Sequence, residues 1–262
     1  MSITEDAPAP APAARRSPVR LPGHARRASP WGVLVAASVL ILAGAAAAMG
    51  IWWAASTDTE VRPIRVTGTL SSVEIDVGAA PVDITGGAGG AVEIRRTEQF
   101  AFGRRPRSSV EAGGGVLRIV SRCPDTVLGR CAASYRVAVP DNVMVNVRTS
   151  SGRVRISGLN GSARVATGSG PVAVDGFCGF TLVATSTSGD VRGNAECSPD
   201  RIEMRSGSGD VSVVVPVGRY RVEAHNDAGS ERVRGLTRAD DAAFTVQALS
   251  GSGEVSVEGG GA

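Results

Sequence analysis

The sequence predicts an all-β solenoid of short strands, with turns of 18 to 24 residues, preceded by one transmembrane helix. Three observations carry that expectation: a strand–turn–strand repeat anchored on glycine, an uncharged apolar run near the N-terminus, and an unusual composition. Glycine supplies 34 of 262 residues, about 13% against an ordinary ~7%, while aromatics make up only 4%. That balance suits short β-branched strands joined by tight turns better than a helical core.

The repeat is clearest from about residue 143. Gly152, Gly170, Gly189, Gly209, Gly229 and Gly253 follow one another at intervals of 18, 19, 20, 20 and 24 residues. Seven positions before them stand Val145, Ala163, Leu182, Ile202, Val222 and Val246; five before stand Val147, Val165, Ala184, Met204, Ala224 and Ala248. The column between is mostly polar, so each unit opens with a strand that buries one face. Three before each glycine is a short polar residue: Thr149, Thr167, Ser186, Ser206, Asn226 or Ser250. Such side chains can bond the backbone or their copies in neighbouring units. A second strand follows, with Val154, Val172, Val191, Val211 and Val255 two positions on, and Val233 filling that slot in the fifth unit by a displacement. One unit cannot bury its own apolar face, whereas stacked copies can. A β-sandwich is the rival architecture, but column identity at a near-constant period favours stacking.

An earlier unit, with Val73, Ile75, Ala80, Val82 and Ile84, fits the same template. Residues 86–142 fit less well and read as strands near 91–96, 116–121 and 134–139, with a long loop holding Phe100, Phe102, Arg104, Arg105 and Arg107.

From Trp31 to Ala55 no residue is charged, a run long enough to cross a ~30 Å hydrocarbon layer. Trp31 and the Trp52–Trp53 pair mark its ends, where indoles prefer the headgroup level. All 28 basic residues are arginine, and five of them, with two of the 25 acids, lie in residues 1–30. The formal charge of +3 therefore belongs to the tail, and the remainder is neutral. Positive residues before the span and polar or acidic ones after it place the N-terminus in the cytoplasm and the body outside. A cleaved signal peptide is the alternative, with Ala-x-Ala sites around Ala43–Ala48; the long leading segment and long apolar run favour an anchor. The expected organisation is a disordered tail (1–30), a transmembrane helix (31–55), a short linker (56–63), an extracytoplasmic solenoid (64–258) and a Gly-rich end (259–262). The lipid bilayer is the first expected partner. A neutral body removes support for nucleic-acid binding.

Four cysteines follow the span: Cys123, Cys131, Cys178 and Cys197. Cys178 and Cys197 fall in the same loop of consecutive units, so stacking sets them about one strand spacing (~4.8 Å) apart, within disulfide range. Cys123 and Cys131 would close a second pair across a short loop. Neither pair has the spacing or histidine support of a zinc site.

No catalytic, cofactor or metal residue is expected. Serine beside glycine recurs as a turn without a His–Asp partner, and His225 takes an exposed-type column. Asp190, Asp210 and Glu254 follow their glycines directly and read as a solvated turn edge, with a carboxylate pair at Asp190/Asp210 that holds a cation or shares a proton as the alternative. Arg155 and Arg192 share an outward column in which no acids are seen beside them. Arg95, Arg96, Phe100, Phe102, Arg104, Arg105 and Arg107 form the one concentrated basic–aromatic patch of the body. It is read either as a cap on the solenoid end or as a surface for an anionic wall polymer, lipid headgroups or an acidic partner.

The stretch LRIVSRCPDTVLGRCAASYRVAVPDNVMVNVRTSSGRVRISGLNGSARVATGSG, with C-x7-C before Y-R-V-A-V-P and then reiterated S-G-x-V units, resembles the bacterial "putative adhesin" β-strand-repeat domains. The likeness covers about residues 64–258 and implies a parallel, right-handed β-solenoid outside the membrane. It supplies no catalytic residues. The eight residues 56–63 reach at most ~28 Å, which favours a role near the membrane over projection beyond a thick wall. The expected function is a membrane-anchored, non-enzymatic binding, adhesin-like or scaffold module that meets cell-wall polymer or an envelope protein. The alternatives are an accessory of an envelope-stress sensing system and a polysaccharide-active β-helix enzyme.

Overall fold

The computed structural model describes residues 30–55, 57–101, 105–124 and 131–260. They fall into two units, divided after Ile51. The first holds most of helix α1 (Pro30–Ala55), whose described side chains are exposed along its length. Its stretch Trp31–Trp52 is long and apolar enough to cross a membrane. The tail expected over residues 1–30 lies outside the described residues save for Pro30, which opens α1.

Beyond the end of α1, the second unit is β. Strand β1 (Thr57–Thr67) takes up most of the segment read as a linker. A first coil, β2 (Ser72–Val77) and β3 (Val82–Thr85), is followed by β4 (Ala91–Ala101), β5 (Arg107–Gly113), β6 (Val116–Arg122) and β7 (Cys131–Ala138). Regular pairs come next: β8 (Met144–Thr149) with β9 (Val154–Ser157), β10 (Ala163–Thr167) with β11 (Val172–Phe177), β12 (Thr181–Ser186) with β13 (Val191–Ala195), and β14 (Arg201–Ser206) with β15 (Val211–Val215). The chain finishes with β16 (Arg219–Asn226), β17 (Glu231–Arg234), β18 (Thr237–Arg238), β19 (Thr245–Ser250) and β20 (Val255–Gly259).

These strands form two ten-stranded sheets, ordered β1-β4-β7-β3-β9-β11-β13-β15-β20-β17 and β18-β16-β19-β14-β12-β10-β8-β2-β6-β5. Each regular coil gives one strand to each sheet, and the ladders between coils are parallel. The apolar columns of the sequence are ladder partners: Val145 lies opposite Ala163, Ala163 opposite Leu182, and Leu182 opposite Ile202. Alternate side chains from both sheets point inward and merge into one core of Val, Ile, Leu and Ala, so no single coil needs a core of its own.

The hydroxyl column closes several turns twice over. Ser206 Oγ accepts the Gly209 N–H at 2.8 Å and donates to the Gly189 carbonyl of the preceding coil at 2.9 Å. Ser250 does the same with Gly253 (2.9 Å) and Gly209 (2.8 Å). These side chains are buried, so the ladder satisfies turn groups that water does not reach. The coils approach so closely here that a Cβ on Gly170 would overlap the Gly152 carbonyl, which explains the recurring glycine.

The structure departs from the sequence reading in four places. First, the ladders are not parallel throughout: β1–β4, β4–β7 and β5–β6 are antiparallel. These returning strands cover what would otherwise be an open parallel edge with unpaired backbone groups. Second, the last two coils exchange places. Strand β19 pairs with β14, and β16 lies outside β19. The outermost coil leaves its inward residues Val222 and Ala224 only half-buried, as a terminal repeat with one neighbour must. Third, Val233 lies opposite Val257, while Glu231 takes the slot opposite Val255. Fourth, the expected long loop is mostly strand, since Phe100 belongs to β4 and Arg107 opens β5.

Candidate functional site

The basic–aromatic segment lies in the antiparallel cap, where the pleat of β4 divides it between two faces. Arg95 points outward and is exposed, whereas Arg96, Glu98 and Phe100 point inward and are buried. Arg96 Nε stands 2.9 Å from Glu98 Oε1, with side-chain exposures of 8% and 3%. The Ser108 hydroxyl of β5 donates to the same carboxylate oxygen at 3.1 Å. Arg105 lays its guanidinium over the Phe100 ring, 4.8 Å from the centroid, and reaches Glu60 at 3.4 Å. Arg107 is exposed and lies opposite Arg122. Phe102 and Arg104 lie outside the described residues.

Sequence reasoning missed the partners of this cluster. Strand β1 places Glu60 opposite Glu98 and Arg62 opposite Arg96, so like charges face each other while each strand pairs its own. Arg62 Nε bonds Glu60 Oε1 at 2.7 Å. That hydrogen bond holds the Glu60 carboxyl below the usual range against desolvation, with the charges of Arg62, Arg105 and Arg96 adding to it. The same bond raises Arg62. Tyr135, opposite Arg96 on β7, is fully buried. Burial pushes its phenol up, partly offset by the Ser121 hydroxyl and the Arg96 charge.

The outer face of the cap holds a groove of about 620 Å³ between β1, β4, β7 and β3. Pro63 and Ile64 give it apolar surface, and Arg65, Arg95 and Arg136 bring cations. Asp83 and Glu93 also line it. Asp83 lies opposite Arg155 and forms an ion pair with it at 4.0 Å. This corrects the reading that no acid accompanies Arg155 and Arg192. The alternation of Tyr135-Arg136-Val137 marks Arg136 as outward, but only the strand pairing reveals that it meets Arg95.

Other candidates have structural partners. Asp190 Oδ1 accepts the Asp210 N–H at 3.1 Å, and Asp210 Oδ1 accepts the Glu254 N–H at 2.8 Å. Asp190 also pairs with Arg192, and Glu254 with Arg232. His225 is exposed and bonds Asp227 at 3.1 Å. Among the described residues no three His, Cys, Asp or Glu side chains converge on a common point suited to a metal ion. Both cysteine pairs are disulfides: Cys178–Cys197 links adjacent coils at a Cα separation of 4.7 Å, and Cys123–Cys131 joins the end of β6 to the start of β7 at 5.7 Å.

The regular coils decide the kinship. Residues 141–254 match the model of the Toastrack DUF4097 family. The matched stretch spans β8 to β19, and the cap with its groove precedes it. None of the curated proteins matches the sequence. Among solved structures, one described as a "putative cell adhesion protein" from Clostridium sporogenes is similar at 11% identity and a TM-score of 0.46, covering 78% of this chain and 100% of that one. A "putative adhesin" from Bacteroides fragilis is 11% identical with a TM-score of 0.36, covering 77% and 97%. A "putative lipid binding protein" from Parabacteroides distasonis is 16% identical with a TM-score of 0.39, covering 78% and 95%.

Proposed function

We propose that the chain is a membrane-anchored, extracytoplasmic binding or scaffold module of the cell envelope, without enzymatic activity. The observation that carries this reading is the pair of disulfides in a body that follows an apolar span, since such bonds form and persist outside the reducing cytoplasm. The arginines of residues 1–30 support an N-terminus in the cytoplasm. In this reading α1 stays uncleaved as the anchor, and the body is a right-handed solenoid whose turns take 18 to 24 residues. The binding surface is the cap, where Arg95, Arg105 and Arg107 remain at the surface and Arg96 and Phe100 hold it from beneath.

A non-enzymatic role is supported by how the carboxylates are used. Asp190 and Asp210 each accept a backbone N–H from the next coil, a structural task that leaves them poorly placed as an acid–base pair. The test is cross-linking of intact envelopes followed by capture of the full-length protein. Recovery of wall polymer or a defined envelope protein is expected. Release of sugar from wall polysaccharide by the protein, abolished by Asp190→Ala/Asp210→Ala, would instead establish an enzyme.

A further inference from the structure

We infer that the groove on the outer face of the cap is a binding site for a phosphate group carried on a linear polymer, held between Arg95 and Arg136. The two arginines are direct cross-strand partners and both are exposed. Like charges set opposite one another in a sheet repel, and an anion between them removes that repulsion. Among the described residues neither guanidinium has a carboxylate partner. The acids that could have served are engaged elsewhere: Glu93 with Arg65 at 3.5 Å and Asp83 with Arg155 at 4.0 Å.

The shape and chemistry select the ligand. Two guanidinium forks approaching from adjacent strands suit a tetrahedral phosphate, which offers oxygens to both, whereas one fork already satisfies a planar carboxylate. The row continues across the sheet through Asp83 to Arg155, then through Ala173 to Arg192. At ~4.8 Å per strand the cations beyond Arg136 recur about every 10 Å, a ladder for a chain with repeated phosphates. A flat anionic bilayer would meet the carboxylates of Asp83 and Glu93 together with the arginines. A narrow polymer lying along the row meets Asp83 alone, whose charge is paired with Arg155, and passes Glu93 at one side.

This inference rests on the reading of the body as a binding module but not on its anchoring. The test titrates long-chain inorganic polyphosphate into the full-length protein in phosphatidylcholine nanodiscs. Saturable binding is expected, weakened about tenfold or more by Arg95→Gln/Arg136→Gln and left within about twofold by Arg148→Gln/Arg164→Gln, which removes equal charge from the other sheet. Polygalacturonate should bind at least about tenfold more weakly. Equal losses in the two double variants would overturn the site, as would equal affinity for the carboxylate polymer or absence of saturable binding. Tighter, Arg95-dependent binding to phosphatidylglycerol vesicles would transfer the site to a lipid surface and overturn the polymer. A module that binds something else would still capture its partner in the envelope cross-linking while this titration stayed flat.

Discussion

Gly193 and Met204 occupy one volume between the two sheets: a Cβ placed on Gly193 would overlap the Met204 Cε. In neighbouring coils the two positions are filled the other way round. Val174 and Val213 flank Gly193 in its ladder, while Ala184 and Ala248 flank Met204. Gly193→Val should therefore destabilise by about 1–3 kcal/mol through overpacking, and Met204→Ala by about 2–5 kcal/mol through a cavity. The double variant should regain most of the loss, because it restores the arrangement of the adjacent coils. Denaturant titrations of all four proteins check this; simple additivity would show that the two sites are independent.

The hydroxyl ladder makes a second prediction. Ser206→Ala leaves the Gly209 N–H and the Gly189 carbonyl without their partner and should cost about 1–3 kcal/mol. Ser206→Thr should be much milder, since Thr149 and Thr167 fill the same slot in their own coils. Chemical denaturation separates the two variants.

The buried Arg96–Glu98 pair should behave asymmetrically. Removing one partner, as in Glu98→Gln or Arg96→Met, leaves an uncompensated charge or donor and should cost about 3–5 kcal/mol. Arg96→Met/Glu98→Leu should recover much of this by replacing the pair with apolar contacts. A double-mutant cycle on thermal unfolding measures the coupling, which vanishes if water reaches the pair.

Tyr135 predicts an alkaline limit. Its folded pKa is raised above the unfolded value near 10, so the folded state keeps a proton that the unfolded chain releases. The associated stability is fully present below about pH 10 and is lost as pH rises through the folded pKa. Tyr135→Phe should flatten the fall in denaturant midpoint between about pH 9 and 11 relative to the parent. An unchanged slope would mean that the phenol does not supply it.

Much of the stack was legible in the sequence because its ladders join residues 18 to 20 apart with the same side-chain pattern. Val145, Ala163, Leu182 and Ile202 are in register as read, and the loop they share brings Cys178 to Cys197. The exchange of the last coils was not legible in that way. Val222 and Val246 carry the same alternation, and alternation alone does not say which of two copies lies next to Ile202. The outward positions Arg219, Arg221, Glu223 and His225 do not settle it either, since the interior strand β14 carries Arg201, Glu203 and Arg205 in the same columns. In the cap, inward and outward positions of β4 could be read from its pattern. Its meeting with β7 through antiparallel pairing could not, and that meeting sets Arg95 against Arg136.

The central claim is that a disulfide-bonded β body is held outside the membrane by α1. Shaving intact cells with protease under non-reducing conditions, followed by peptide mass mapping, tests it directly. Release of body peptides with Cys123–Cys131 and Cys178–Cys197 linked is expected, while tail peptides preceding Trp31 stay protected with the membrane fraction. Free thiols at these four positions, or a protected body with an accessible tail, would contradict it.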